Sequence, residues 1–255
     1  MKLKMIVTDL DGTLLHSDKE LTERTVQTLQ KCRQKGILLA IATARFWIGA
    51  ESYINRLSPD YSITTDGTMV HRDNEMIYGC GFDIPTTNLL LKLIKEADSG
   101  AGITVSVGQK VYWNSHRISE SKKLHKAIFN DYESPLTEPA YKIVTTLPSK
   151  DVAEEIAQKA SCKVISYRGR NLYGFIHKEA GKLPALNSLA KRLHIPMEEI
   201  AAFGDDENDI DMLKACGLGV AVSNALPDVV EAADQTTLSN EEDGVADFIE
   251  RSVLI

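Results

Sequence analysis

The sequence predicts an α/β fold: a parallel-sheet core built from both ends of the chain, with a mixed α+β domain inserted between them. Three observations predict it. Short uninterrupted apolar runs at Met5-Ile6-Val7, Ile37–Ala42 and Ile200–Phe203 each end in polar or acidic residues, as strands buried on both faces of a parallel sheet do. Helical patterns separate successive runs at each end of the chain, which is the strand–helix–strand rhythm of parallel pairing. From about Pro85 the pattern changes to alternating residues and tight turns, the mark of an antiparallel sheet.

The first run, Met5-Ile6-Val7, leads into Asp9 and Asp11, with Gly12 and Thr13 behind them. Gly12 lets the chain turn sharply there. Thr22 then opens a helical pattern with Val26 and Leu29 on one face, and Gly36 closes it as a C-terminal glycine does. The strand over Ile37–Ala42 ends at Thr43 and Arg45, and a helix is expected from Phe46 to Leu57. A strand over Tyr61–Thr65 and the turn pairs Asp66-Gly67 and Asp73-Asn74 predict small hairpins across residues 61–80.

In the insert the pattern predicts a helix over Thr86–Ala97, strands over Ile103–Val107 and Val111–Trp113, and a strand over Tyr141–Thr146. A helix after Pro148 and strands over Lys163–Tyr167 and Leu172–His177 follow, together with a helix over Ser119–Phe129 in the polar stretch 115–139. From Gly181 the helical spacing returns at Leu183, Leu186, Leu189 and Leu193. The strand Ile200–Phe203 runs into Gly204-Asp205-Asp206-Glu207-Asn208-Asp209, and Leu218–Val222 with a helix after Ala225 completes the second half. The expected division is a core from residues 1–81 and 179–255 and an inserted domain from residues 82–178.

Composition narrows the function. The 255 residues carry a formal net charge of −7, against a general nucleic-acid binder, which presents a basic face. No apolar stretch approaches the roughly 18 residues that span a membrane, and the N-terminus runs straight into the first strand. Cys32, Cys80, Cys162 and Cys216 are scattered, without a CxxC pair or zinc spacing. The expectation is a cytoplasmic protein with reduced, structural thiols.

Ligands of open parallel sheets bind at the carboxyl ends of the strands. Those ends carry Asp9 and Asp11, then Thr43 and Arg45, then Asp205, Asn208 and Asp209, while Lys182 opens the helix before the last strand. Converging carboxylates bind Mg²⁺, a hard cation that takes oxygen ligands. A lysine and a threonine beside them make a place for a phosphoryl group. Asp206 and Glu207 are read instead as caps of the following helix. The six histidines show no ligand spacing.

Taken together, the segments DLDGTLL, ATAR, the lysine at 182 and GDDENDIDML resemble the haloacid dehalogenase-type (HAD) hydrolase superfamily, and the large insert resembles its Cof-type branch. The resemblance implies a Rossmann-like core with an inserted cap domain. It makes Asp9 a nucleophile that forms an aspartyl-phosphate and Asp11 the acid, then base, for the leaving and attacking oxygens. It gives Mg²⁺ to the Asp9 carboxylate, the Asp11 backbone carbonyl and Asp205. Thr43 and Asn208 are then phosphate contacts, with Arg45 a further candidate at the same strand end. Lys182 neutralises charge on Asp9 and the transferring group, and Asp209 orients Lys182 or a metal-bound water. The second aspartate disfavours dehalogenation, because displacing halide needs no general acid.

This sequence departs from the family pattern at Ala44 in place of glycine, at Asp66 in place of asparagine, and at Leu183 after the lysine. Lys178 is a conceivable substitute for Lys182. The implied activity is Mg²⁺-dependent hydrolysis of small phosphorylated metabolites, sugar phosphates foremost, with a mobile cap choosing the leaving group. The rivals are a phosphomutase or phosphotransferase on the same core, and a catalytically idle metabolite binder.

Overall fold

The computed structural model describes residues 3–114, 126–167 and 171–254. The elements run in chain order as β1 (Met5–Thr8), α1 (Glu23–Gln34), β2 (Leu38–Ala42), α2 (Trp47–Leu57), β3 (Tyr61–Thr64), β4 (Met69–Arg72) and β5 (Glu75–Gly79). Next come α3 (Ile84–Ala97), β6 (Ile103–Val107), β7 (Lys110–Trp113), β8 (Ile128–Phe129), β9 (Lys142–Thr146), α4 (Lys150–Lys159), β10 (Cys162–Tyr167) and β11 (Leu172–His177). The last part holds α5 (Lys182–Leu193), β12 (Ile200–Gly204), α6 (Ile210–Ala215), β13 (Leu218–Val222), α7 (Pro227–Ala232), β14 (Gln235–Thr237) and α8 (Gly244–Ser252). The chain divides into one compact unit of residues 1–44, 50–78 and 181–255, and another of residues 45–49 and 79–180.

The first unit is built on an eight-stranded sheet in the order β14-β13-β12-β1-β2-β3-β4-β5. Pairing is parallel from β14 through β3, and β4 then runs antiparallel to β3. Both faces are covered, which explains the continuous apolar runs. Strand residues alternate between faces. Ile6, Leu39, Ile41, Ala201 and Phe203 pack with Val26 and Leu29 of α1 and Val245, Phe248 and Ile249 of α8. Met5, Val7, Ala40, Ala42, Ile200 and Ala202 pack on the other face with Leu186 and Leu189 of α5 and Met212 of α6. The Phe203 and Phe248 rings meet edge to face at 5.7 Å, the geometry that aromatic quadrupoles favour.

The second unit is a six-stranded sheet in the order β10-β11-β9-β6-β7-β8, antiparallel except for the short parallel pair of β7 and β8. Leu90, Leu91 and Ile94 of α3 and Ala153, Ile156 and Ala157 of α4 share one core with Ile103, Val105, Ile143 and Phe175 of the sheet. Lys142, next to Ile143 on β9 and so pointing the other way, is buried at 2% exposure. Its ammonium lies 5.1 Å from the Phe46 ring centre and 5.4 Å from that of Tyr167, a cation–π arrangement that offsets part of the cost of burying the charge.

Several boundaries differ from the sequence reading. The expected helix over Ser119–Phe129 is corrected at its end: Ile128 and Phe129 form a strand, adding to the sheet edge beside Tyr112 and Trp113, as a β-branched and an aromatic residue suit. Residues 115–125 of that stretch lie outside the described residues. α3 begins two residues before the expected start, because Asp83 caps it by accepting from the Thr86 N–H and Pro85 fits its first turn. β3 stops at Thr64 because Thr65 turns left-handed, with φ +59°. β14 and α8 were not anticipated, although Val245, Phe248 and Ile249 carry helical spacing.

Candidate active site

Strand register sets the site. Thr8 lies level with Ile41 of β2 and Phe203 of β12, so the chain leaves the sheet at Asp9, Thr43 and Asp205 along one carboxyl edge. The Asp9 N–H still donates to the Phe203 carbonyl (3.0 Å), and the Thr43 N–H to the Ile63 carbonyl (2.9 Å). Asp9 is thereby fixed at the sheet edge at 6% exposure, and Thr43 is buried beside it in the sequence of strand ends.

Lys182 is the first residue of α5 and is 4% exposed. Its helix has no side-chain N-cap, and a cation at a helix N-terminus opposes the macrodipole. Two carboxylates offset both costs. Lys182 Nζ donates to Asp9 Oδ1 at 2.8 Å and to Asp209 Oδ1 at 2.7 Å. Burial pulls the ammonium toward neutrality, but Asp209 and Asp9 outweigh it and hold the lysine charged. Gly67, at φ +79°, fits against this helix start: a Cβ there would overlap the Gly181 carbonyl, with the Lys182 nitrogen 2.6 Å away.

Asp209 is fully buried and committed on both oxygens. Oδ1 takes Lys182, and Oδ2 accepts the N–H groups of Asp205 (3.1 Å) and Asp206 (3.2 Å). Asp206 in turn accepts the Glu207 N–H at 2.8 Å, capping the short helical turn Glu207–Asp209. The acidic run after β12 is therefore a folded loop that aims Asp205 back at Asp9. Thr13 donates its hydroxyl to Asp205 Oδ1 at 2.5 Å. Gly12, at φ +85°, leaves the space that a side chain would take from the Asp205 carboxylate.

Asp9, Asp205 and Asp209 each offer an oxygen within 4.8 Å of the others. Crowding shows in the carboxyl groups of Asp9 and Asp205. Burial, with the neighbouring acids, raises Asp9 well above the carboxylate range against the opposing pull of Lys182. Burial, countered by the Thr13 hydroxyl and reinforced by Asp209, pushes Asp205 up to about 6. Buried hard oxygen donors that repel one another fit a divalent cation. Since Asp209 is already satisfied, Asp9 and Asp205 are the pair suited to hold one.

The Asp11 carboxylate is outside the three-acid group and pairs with Lys19 at 2.9 Å. Asn208 is exposed within the Glu207–Asp209 turn. Arg45 falls in the second unit, where it donates to the Gly49 carbonyl at 2.9 Å. The sequence reading passed over Asn224 and Asn240. Asn224 donates to the Gly12 carbonyl (2.7 Å) and accepts the Asn240 N–H (2.8 Å), while Asn240 donates to the Leu15 carbonyl (2.8 Å). Lone asparagines after a strand carry no sequence signal beyond turn propensity.

Acids and a buried lysine thus gather at the carboxyl edge of a parallel sheet, and comparison with known proteins shows the family. The profile of the haloacid dehalogenase-like hydrolase family matches residues 6–249, and the chain belongs to that family. It is 31% identical to the putative phosphatase YxeH of Bacillus subtilis, over 98% of both chains. It is 27% identical, over 96% of both chains, to the 5-amino-6-(5-phospho-D-ribitylamino)uracil phosphatase YitU of the same organism. Among solved structures, a haloacid dehalogenase-like hydrolase from Bacteroides thetaiotaomicron superposes with a TM-score of 0.84 at 26% identity, covering 98% of this chain and 99% of that one. No helix among the described residues is long and apolar enough to cross a membrane.

Proposed function

We propose that this hydrolase is a Mg²⁺-dependent phosphatase of small phosphorylated metabolites, sugar phosphates in the first instance, working through an aspartyl-phosphate on Asp9. The observation that carries the reading is the buried Lys182 ammonium bonded to both Asp9 and Asp209. A carboxylate attacking a phosphate dianion meets repulsion, and a fixed cation beside the nucleophile lowers it. Asp209 keeps that cation in place. Relatives named as phosphatases along nearly the full chain support the same class.

In this reading Asp9 attacks phosphorus, and Asp11 gives a proton to the leaving oxygen and later takes one from the attacking water. Thr43 donates to the phosphoryl oxygens, with Asn208 and Arg45 as further contacts. Asp9, Asp205 and the Asp11 backbone carbonyl would hold Mg²⁺, which when bound supplies positive charge to the phosphoryl oxygens. Selection of the leaving group by residues 82–178, acting as the family's cap, is part of the same proposal.

The test is a panel of sugar phosphates, nucleotides and phosphorylated coenzymes with Mg²⁺, scored by inorganic phosphate. Release is expected from aliphatic sugar phosphates, and Asp9→Asn is expected to abolish it while the protein stays folded. Transfer to a second sugar without free phosphate would make the enzyme a phosphomutase or phosphotransferase. Silence across the panel would leave the idle binder.

A further inference from the structure

Asn224 is exposed, yet both ends of its amide are spent on distant backbone. Its Nδ2 donates to the Gly12 carbonyl at 2.7 Å across 212 positions, and its Oδ1 accepts the Asn240 N–H at 2.8 Å across 16. Together the two bonds fix how the amide is turned, since only its oxygen can accept an N–H and only its nitrogen can donate to a carbonyl. Asn240, at 5% exposure, extends the grip: its own Nδ2 donates to the Leu15 carbonyl at 2.8 Å. The segment 12–15 is thus held at its first and last carbonyls.

Between those two points lies Thr13, whose hydroxyl donates to Asp205 Oδ1 at 2.5 Å. Gly12 makes the approach possible, because a Cβ there would overlap the Asp205 carboxylate. The same glycine, at φ +85°, gives the chain its widest conformational freedom where Thr13 must be aimed. An amide bonded to the Gly12 carbonyl removes that freedom. The loop that supplies it also holds the other partner, for the Leu226 N–H donates to the Asp205 carbonyl at 3.0 Å. One loop after β13 therefore fastens both Gly12 and Asp205.

We propose that Asn224 is a positioning residue for the cation site of Asp9 and Asp205. It holds the Gly12 peptide so that Thr13 keeps the Asp205 carboxylate aimed at Asp9. The inference rests on the phosphatase reading above, and it gives Asn224 no contact with cation or substrate.

Calorimetric titration of the folded protein with Mg²⁺ tests this. Asn224→Ala is expected to weaken Mg²⁺ about fivefold, the net worth of one hydrogen bond. Asn224→Asp keeps an oxygen for the Asn240 N–H but has no donor for Gly12. It is expected to weaken Mg²⁺ as well, although its added negative charge alone would favour a cation. In a Thr13→Val background, Asn224→Ala changes the affinity by less than about twofold, because both act on one contact. Without Mg²⁺, the Leu14 and Leu15 amides, which donate to the Leu10 carbonyl at 3.0 and 2.8 Å, exchange hydrogen faster in both single variants. Turnover of a sugar phosphate recovers at saturating Mg²⁺ with KM unchanged, which loss of a substrate contact would not allow. Affinity within about twofold of wild type in Asn224→Ala, or the full loss repeated over Thr13→Val, overturns the proposal and leaves the phosphatase reading standing. A wild-type protein that binds no Mg²⁺ and releases no phosphate removes that reading, and the proposal with it.

Discussion

Two lysine–aspartate contacts lie near the carboxyl edge of the same sheet, and solvent makes them different devices. Lys182 bridges Asp9 and Asp209 with almost no exposure, at 2.8 and 2.7 Å. Lys19 meets Asp11 at a similar 2.9 Å but with more than a third of each side chain in water. In the buried case each charge depends on the others, since none can recover its hydration. In the exposed case water competes, and the pair orients more than it stabilises. One arrangement fixes a buried charge beside Asp9; the other is an ion pair shared with solvent.

The sharpest way to break the contrast is Lys182→Met. It strands Asp9 and Asp209 without their cation, and chemical denaturation is expected to show a loss of about 3–5 kcal/mol, alongside loss of turnover. Adding Asp209→Asn to that variant is expected to restore part of the stability but none of the activity. Should Lys182→Met unfold at the wild-type denaturant midpoint, the buried pair contributes no more than the exposed one.

The next effect is at Thr13. Thr13→Val keeps the shape and removes the hydrogen bond to Asp205, a loss of about 1–2 kcal/mol for a charge-assisted bond. Asp205 is expected to become harder to ionise, and calorimetric titration of the folded protein with Mg²⁺ is expected to show weaker binding.

A smaller contrast is pH-dependent. His71 on β4 is buried, and burial lowers its pKa to about 4. The unfolded chain therefore binds a proton that the folded one refuses, and stability falls as pH drops from the ordinary imidazole range toward 4. Between pH 7 and 5 the loss assigned to this residue is about 1–2 kcal/mol. Denaturation of the wild type and His71→Leu at both pH values checks it, the variant being expected to show the shallower decline. Smallest of all is the stability change in Lys19→Met, expected by chemical denaturation to stay below about 0.5 kcal/mol for an exposed pair.

The parallel core was readable because burial on both faces leaves unbroken apolar runs, and Met5–Val7, Ile37–Ala42 and Ile200–Phe203 stand out for that reason. Asp9, Asp205 and Asp209 were readable because they end such runs. What could not be read depends on distant partners. The bond from Thr13 to Asp205 spans 192 positions, and that from Asn224 to Gly12 spans 212. Lys19 gave no sign of its contact with Asp11, since a lysine between two acids reads as a solvated turn. Ile128 and Phe129 misled because two residues are too few to show a period, and only an available sheet edge decides their state.

The strand order has a consequence for biosynthesis. β1, carrying Asp9, lies between β2 and β12, and β12 is made about 190 residues after it. A nascent chain on the ribosome thus presents Asp9 early, while Lys182, Asp205 and Asp209 remain unmade. The inserted sheet, which pairs only among its own strands, is complete before then. The acid–lysine cluster can form only late, when the last third of the polypeptide emerges and β12 pairs beside β1.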